Sequence, residues 1–265
     1  MNTYSTPAFR SFKVFIGELT AVAAGIHVGI QEAISHVSKL DQSDPWESAA
    51  QRHGIRVSGL RSEKVSSGAI RLNIVSLYSG FDLFISDIRG QFYAIHGKSW
   101  TQNDGDTPFQ ALLRNTPSGK QAHEKRLGPG RILTMDYYRL ARNAIAHPSN
   151  EAVAIAEQFY HSNSQQLIQT ASDYGMKSTP SEVAGLSFHD IKYMARVSLD
   201  LAVAIDKDFD PGDVVLSRLL PEKFAKLPKS EARRHNAKKG WLSEKFGINS
   251  DRAERIISMT HKLSG

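Results

Sequence analysis

The segment YRLARNAIAHPSN, from Tyr138 to Asn150, places two chemically complementary groups near one helix end. Arg142 supplies a permanently charged, forked donor that matches a phosphate. His147, five positions later, supplies an imidazole that titrates near neutral pH. RNA cleavage without a metal needs a base for the ribose 2′-hydroxyl proton and a cation for the charge that develops on the phosphate oxygens. The pair therefore predicts a site for phosphodiester cleavage.

A continuous helix would not bring these two side chains to one face, because positions five apart differ by about 140° around the helix axis. Pro148 changes this expectation, since a residue before proline is pushed out of the helical region. Asn143 lies four residues before His147, so we expect its amide to bond an imidazole nitrogen and select the tautomer. A structural role remains open, because a histidine near a helix C-terminus also interacts favourably with the helix dipole.

The elements around this motif are predicted to be helices. Apolar residues recur at steps of three and four, and few segments alternate with the two-residue period of strands. Residues 49–65 are predicted to be a short strand pair or a loop, and residues 115–131 a polar loop. The predicted helices are Phe9 to Lys39, Ser67 to Tyr93, Pro108 to Arg114, Ile132 to Ala146, Glu151 to Ser172 and Ser187 to Lys207, followed by two short helices in the C-terminal tail.

This order predicts an all-α, antiparallel helical bundle with an N-terminal helix and a basic helical C-terminal extension. We expect three regions. Residues 1–65 form the N-terminal helix and a connector, residues 66–210 the helical core, and residues 211–265 a linker and a basic tail with spacing similar to a helix-turn-helix.

Composition excludes several classes of site. The chain of 265 residues has no cysteine, which rules out disulfides, cysteine zinc sites and thiol nucleophiles. The histidines show no i,i+4 pairing, so we expect neither a metal nor another cofactor. The apolar stretch from Val14 to Ile30 is interrupted by Glu18 and His27 and is shorter than the roughly 20 residues that span a bilayer. We expect a cytoplasmic protein without a membrane segment.

The C-terminal fifth carries the positive charge of the chain. Residues 216–265 contain 12 Lys and Arg against 5 Asp and Glu, within a net charge of +6 for the whole chain. Such a stretch attracts phosphate backbones, or it is a solvated face of helices packed on the core. Gly247 is predicted to form a tight turn between two helices, and Trp241 to anchor them. The residues predicted to bind nucleic acid are Arg233, Arg234, Lys238, Lys239, Arg252 and Arg255.

The motif RNAIAH at a helix end resembles the Arg-x4–6-His motif of the HEPN superfamily, in which a polar residue such as Asn143 often follows the arginine. The segment VSLYSGFDLFISDI, with Phe81, Asp82 and Phe84, is similar to the aromatic–acid–x–aromatic pattern in the long first core helix of HEPN ribonucleases, where the acid is commonly Glu. The resemblance covers about residues 66–206.

The resemblance implies a four- to five-helix bundle that forms a homodimer, with two Arg/His sets lining one cleft. Many members of this superfamily are metal-independent endoribonucleases in toxin–antitoxin or anti-phage systems, so it implies an RNA substrate and an antitoxin or defence partner protein. By position, Arg142 would hold the scissile phosphate, His147 would transfer a proton and Asn143 would orient them. Asp82 would hold Arg142 in place.

Two other classes of function remain open from the sequence. The chain is alternatively a non-catalytic RNA- or DNA-binding helical module that acts through its basic tail. A third hypothesis is an interaction protein in which Arg142 and His147 are structural.

Overall fold

The structure, a computed structural model, describes residues 4–40, 43–116, 119–224 and 230–262. Within these ranges the regular structure is helical and contains no strand, which confirms the predicted all-α class. Short 3₁₀ helices occur at Val183–Gly185 and Glu222–Phe224. The α-helices are α1 (Pro7–Val37), α2 (Pro45–Gln51), α3 (Ser62–His96), α4 (Pro108–Arg114), α5 (Lys120–Leu127), α6 (Pro129–Ala146), α7 (Asn150–Asp173), α8 (Phe188–Asp208), α9 (Asp213–Arg218), α10 (Glu231–Phe246) and α11 (Ser250–Lys262).

Most of the predicted helices are present, with ends shifted by a few residues. α4 has the predicted bounds and is closed by a capping box, in which Thr107 and Gln110 bond each other's backbone N–H. The expected stripe on α3 is buried at its centre, where Ile74, Leu77 and Phe81 are inaccessible to solvent. The predicted linker includes residues 225–229, which lie outside the described residues.

One prediction of local structure is wrong, and of the two alternatives for residues 49–65 the loop is present and the strand pair is not. Residues 115–131 contain helix α5, which buries only His123 and Leu127 and therefore lacks the apolar periodicity of the other helices. Residues 49–65 contain no strand; they hold the end of α2, a connection and the start of α3. Helix α2 begins where the side chain of Asp44 accepts a hydrogen bond from the backbone N–H of Glu47.

The chain divides into two compact units. The first, here the motif unit, comprises Val14–Phe81 and Pro129–Leu199. The second, here the tail unit, comprises Met1–Lys13, Asp82–Gly128 and Asp200–Gly265. Each unit is thus assembled from segments that are far apart in the sequence.

The motif unit is organised around α6, which packs against α7. Gly130 allows this close approach, because a Cβ there would lie 2.1 Å from the Thr170 hydroxyl on α7. Similarly, Gly80 leaves room for the ring of Phe15 on α1. The buried core of this unit includes Ile74, Leu77, Tyr78, Phe81, Met135, Tyr137, Tyr138, Leu167, Ile191, Tyr193, Met194 and Val197.

The tail unit has an apolar cluster on its C-terminal helices. Helix α11 packs against α9 and α10. The buried members of this cluster are Leu216, Leu242, Phe246, Ile248, Ala253, Ile256 and Ile257. The N-terminal segment joins the same unit, since the Ser5 N–H donates to the Phe246 carbonyl at 2.8 Å.

Among the described residues, α1 is the one helix long and apolar enough to cross a bilayer. Its most apolar window of 18 residues has a mean hydropathy of 1.4, and 11% of that window is buried. Length and composition alone give this result, and a core helix or a signal sequence meets the same criteria. The expected absence of a membrane segment stays a prediction.

Candidate functional site

Helix α6 positions the Arg/His motif at its C-terminal end. Pro129 begins the helix, where its missing N–H is not needed. The helix ends at Ala146, one residue before His147, because Pro148 disfavours helical geometry at the residue that precedes it. The buried stripe that fixes the helix comprises Thr134, Met135, Tyr137, Tyr138, Ala141 and Ala144. Arg142 and Asn143 lie beside this stripe and are half-buried.

Arg142 has a hydrogen-bond donor left over for a ligand. Its Nη1 donates to the Asn143 side-chain oxygen at 3.0 Å. Its Nε is buried and has no hydrogen-bond partner among the described residues. A guanidinium with an unused donor suits an oxyanion, which accepts two parallel N–H bonds. The structure therefore brings Arg142 and Asn143 together and leaves the buried Nε of Arg142 unbonded within the described residues.

His147 is exposed and lies in the bend after α6. Its backbone N–H still donates to the Asn143 carbonyl at 2.9 Å, which keeps the residue close to the last helical turn. The expected bond between the imidazole and the Asn143 amide is not formed in the described residues, and the amide oxygen of Asn143 accepts instead from the guanidinium of Arg142. Within the described part of the chain, no group is hydrogen-bonded to the imidazole, so its ring can reorient toward a substrate.

Arg139 is a further residue of this site that the sequence analysis did not single out. It lies four residues before Asn143, a spacing that places these two on one side of α6, and eight residues before His147, which follows the end of the helix. Its Nε is 3.5 Å from an Asp136 oxygen, and its side chain is 24% exposed. The contact with Asp136 is an ion pair without good hydrogen-bond geometry, because that Nε is also buried without a hydrogen-bond partner in the described residues. The four-residue spacing of Arg139, Asn143 and His147 is the sequence signal that could have identified Arg139.

Asp136 moderates the positive charge of this cluster. Burial raises the pKa of its carboxyl group, and the neighbouring Arg139 partly opposes this shift. Two guanidinium groups on adjacent turns and one partly buried carboxyl group give a net positive helix end. Such a region attracts a phosphodiester more strongly than a neutral surface does.

Hydrogen bonds to Asp190 hold α6 against the start of α8. The Asp190 side chain is fully buried and accepts from the Tyr138 hydroxyl at 3.0 Å. It also accepts from the backbone N–H groups of Ser181 and Ser187 at 2.9 and 2.8 Å, and from both serine hydroxyls. The neighbouring Tyr137 hydroxyl donates to the Ser181 carbonyl. This network fixes the rotation of α6 and hence the direction in which its polar side points.

Asp82 is half-buried on α3 and belongs to the tail unit, whereas Arg142 belongs to the motif unit. Its supporting role toward Arg142 stays a prediction.

The predicted nucleic-acid-binding residues differ in their surroundings. Arg252 is 2% exposed, and its guanidinium is held by two carboxylates. Its Nη1 lies 2.6 Å from an Asp210 oxygen and its Nε 2.7 Å from an Asp213 oxygen. Arg252 therefore joins α11 to the segment around the start of α9 and is not placed to contact a phosphate backbone. Arg255 is 53% exposed and lies 3.7 Å from the second Asp213 oxygen.

The basic residues of α10 are more accessible. Arg233 is exposed, and Arg234 and Lys238 are half-buried. Lys239 donates to Glu254 of α11 at 2.7 Å, and the ring of His235 contacts the same carboxylate at 2.7 Å. Exposed pairs of this kind contribute little to stability and can exchange partners.

The turn between α10 and α11 has the predicted glycine. Gly247 adopts left-handed backbone geometry, with φ 61° and ψ 22°, and closes α10. Trp241 packs edge-on against Phe246 of the same helix, at 5.5 Å between ring centroids, and it is partly buried against the apolar cluster of the C-terminal helices. Both rings line a cavity of about 500 Å³ that also contains Lys245 and Asp87 at its edge.

In the described residues, no group of three or more His, Cys, Asp and Glu side chains could hold a metal ion. Comparisons with protein-family models, curated proteins and solved structures found no match for this chain.

Proposed function

We propose that the protein is a metal-independent endoribonuclease of the HEPN type. The observation that supports this most is at the end of α6, where the half-buried Arg142 keeps an unbonded Nε one turn before the exposed His147. A buried donor without a partner is costly in a structural side chain. The cost is understandable if a phosphate oxygen occupies that position in the complex with RNA.

The chemistry needs one base and one cation. In its neutral form, the imidazole of His147 accepts the proton of a ribose 2′-hydroxyl, and the resulting oxygen attacks the adjacent phosphorus. The bond from phosphorus to the 5′ oxygen breaks, and that oxygen takes a proton from solvent. The products are a 2′,3′-cyclic phosphate and a 5′-hydroxyl, and no oxidant or other reactant is consumed.

Arg142 stabilises the negative charge that grows on the non-bridging phosphate oxygens as the bond forms. Asn143 holds the guanidinium through the bond at 3.0 Å. Arg139 provides a second cation one turn earlier, in a position to bind the next phosphate along the strand. Asp82 supports Arg142 in this proposal.

We further propose that the enzyme acts as a cytoplasmic homodimer in microbial defence. In that arrangement the two α6 ends approach each other, and an antitoxin or a defence partner restrains the activity. These parts of the proposal rest on the resemblance of RNAIAH to the family motif.

Cleavage of a mixed RNA pool, with and without EDTA, tests the proposal. We expect cleavage in both conditions, and a loss of at least 100-fold for His147→Ala and Arg142→Ala, as general-base and electrostatic catalysis are each worth about this much. Arg139→Ala should slow cleavage by a smaller factor. Gel electrophoresis measures RNA cleavage by each variant, and circular-dichroism spectra show whether the variant is folded. Together they distinguish loss of activity from loss of folding.

The matched controls are His189→Ala and Arg71→Ala, which replace exposed residues on α8 and α3 of the motif unit. Both should cleave like the parent protein. Cleavage that persists in His147→Ala, or that EDTA abolishes, contradicts the proposal.

A second function is a non-catalytic RNA- or DNA-binding module that acts through the tail. The exposed Arg233 on α10 and the cavity containing Lys245 and Trp241 favour it. In that case, RNA binding would be lost on substitution of Arg233 and Lys245 together, and the Arg142 and His147 variants would behave like the parent protein.

A further inference from the structure

The outward side of α1 exposes large apolar side chains that the other described residues leave uncovered. Val14, Val22 and Val28 are 59%, 57% and 60% exposed, and Ile26 is 42% exposed. The opposite side of the same helix is packed, since Ile16 and Ala23 are 4% and 2% exposed. Contiguous apolar surface of this kind on a folded protein usually marks an interaction site.

The three glycines of α1 face open space, like the exposed apolar residues of this helix. Gly17, Gly25 and Gly29 have nothing within 4 Å of the position a Cβ would occupy. By contrast, Gly80 and Gly130 each accommodate a neighbouring side chain of the motif unit. Glycine is among the least favourable residues in a helix interior, so three glycines without an internal function need an external one. Together with Ala21 they are spaced by four and form a strip of small residues, here the groove, in which the absence of large side chains permits close approach of another helix.

A membrane is the less suitable occupant of this surface. Crossing a bilayer would expose the packed side of α1, including His27, whose ring stacks on Phe188 at 4.6 Å between centroids. Lying on an anionic bilayer requires basic residues beside the apolar strip. Helix α1 has Arg10 and Lys13 in its first turns and Glu18 and Glu32 further along, and Arg10 is bonded to backbone carbonyls of Ser5 and Glu244. The strip therefore lacks the excess of basic residues that binding to anionic lipids requires.

A second copy of α1 fits the groove in an antiparallel orientation. With the two-fold axis beside residue 23, Gly17 faces Gly29 of the other copy and Ala21 faces Gly25. The same register brings Lys13 next to Glu32, whereas a parallel pair would place Glu18 against Glu18 and Glu32 against Glu32. Small residues therefore meet small residues along the whole strip, and opposite charges meet at both ends.

We infer that two copies of the protein associate through antiparallel packing of their α1 helices. The strip from Val14 to Glu32 is about 28 Å long, and a helix pair of this length buries roughly 400 Å² per copy. That is about half the area of a standard interface, so the pair should be weak and concentration-dependent. This interface is separate from the approach of the α6 ends in the proposed function.

Sedimentation velocity from about 1 to 100 µM tests the inference. We expect the mass of the parent protein to rise from 29.3 kDa toward a dimer, and Gly25→Leu to weaken this association at least tenfold. The substitution should leave the fold intact because nothing lies within 4 Å of the position that the added Cβ would occupy. Gly240→Leu on α10 is the control, since it also adds a side chain to open helix surface.

Charge exchange provides an independent test. Lys13→Glu should weaken association, and Lys13→Glu combined with Glu32→Lys should restore it. A dimer that persists in Gly25→Leu overturns the inference, because an interface at the α6 ends would be unaffected by this change. A parent protein that stays monomeric, or that floats with phosphatidylcholine vesicles through α1, also overturns it.

Discussion

Arg252 combines the most complete burial with the strongest ion pairing among the described basic residues of the tail. Two carboxylates surround it, at 2.6 Å for Asp210 and 2.7 Å for Asp213. A buried guanidinium is stable only while its partners remain, and removal of one member leaves buried charge without compensation. The two ion pairs explain why Arg252 is buried although other basic residues of the tail are accessible.

Arg252→Ala should lower the free energy of unfolding by about 3 to 5 kcal/mol, the usual effect of breaking a buried charge pair. Arg255→Ala should change it by less than about 1 kcal/mol, because the side chain of Arg255 is 53% exposed. Urea denaturation of both variants checks this pair of expectations. Equal stability of the two variants would contradict the structural role assigned to Arg252.

Asp206 gives the tail unit a dependence on pH. It is 2% exposed and accepts hydrogen bonds from the Thr6 N–H at 3.1 Å and the Thr6 hydroxyl at 2.5 Å. Burial raises the pKa of its carboxyl group to about 6. Because the pKa of Asp206 is higher in the folded state, protonated Asp206 stabilises the fold. This stabilisation is complete below the ordinary pKa of 3.8 and is lost as the pH rises through about 6.

Asp206→Asn should therefore be more stable than the parent protein at pH 7, by up to about 3 kcal/mol, and equally stable near pH 4. Denaturation of both proteins across this pH range measures the difference directly. Burial lowers the pKa of His123, so the stability that the neutral His123 contributes is lost as the pH falls. Both proteins contain His123, so this opposing effect cancels when their free energies of unfolding are subtracted. A constant difference at all pH values would contradict the prediction. Asp104→Asn, at an exposed position, is the control.

The residues of the proposed site were partly accessible to sequence reasoning. The types and spacing of Arg142 and His147 identified the end of α6, because proline reliably ends a helix. The bond between Arg142 and Asn143 was not predicted. Whether the Asn143 amide bonds Arg142 or His147 depends on the directions of the side chains, which the sequence does not show. Arg139 was missed because its importance depends on burial of its Nε, which a sequence does not show.

At the scale of elements, the turn between α10 and α11 requires glycine. Gly247 has a positive φ of 61°, and a Cβ there would lie 2.9 Å from the Cβ of Ser5. The N-terminal segment thus packs on the turn itself. Any larger residue would strain the backbone and displace this segment.

Gly247→Ala should lower the free energy of unfolding by about 1 to 3 kcal/mol. Gly240→Ala, in the interior of α10 with open space around it, should raise stability by up to about 1 kcal/mol. If glycine to alanine lowers the free energy of unfolding at position 247 and raises it at position 240, the effect of turn geometry is distinguished from that of helix propensity. Thermal and urea denaturation provide the measurement, and destabilisation of similar size by both changes would contradict the turn assignment.

The helices that sequence reasoning found are those with a long apolar period and clear ends. α4 was predicted to the residue because Thr107, Pro108 and Gln110 together specify a helix start. α5 was missed because it buries only His123 and Leu127 in eight residues, so its helix is stabilised by neighbours in the fold and not by its own pattern.

At the scale of the molecule, contacts between distant segments could not be predicted. Thr6 bonds Asp206, two hundred positions away, and Tyr4 stacks on Phe246 at 6.1 Å between ring centroids. No pattern in either segment identifies the other, since Tyr4 and Thr6 precede α1 and their types name no distant partner. The all-helical class follows from periodicity, whereas the partners of each helix are decided by side-chain packing over the whole chain.

The distribution of charge also acts at this scale. Residues 216–265 carry a large share of the basic side chains of a chain with net charge +6. A basic region draws RNA toward the protein at a rate that falls with salt, whatever surface finally binds the scissile bond. The tail and the end of α6 therefore have distinct parts in the proposed function, attraction of the strand and cleavage.

The most direct test of the central claim is the chemical identity of the ends that the purified protein leaves on RNA. We predict 2′,3′-cyclic phosphate and 5′-hydroxyl ends, formed equally well in EDTA and absent with His147→Ala. Ends that carry a 5′-phosphate, or cleavage that His147→Ala retains, would contradict a mechanism in which His147 takes the 2′-hydroxyl proton and Arg142 binds the phosphate.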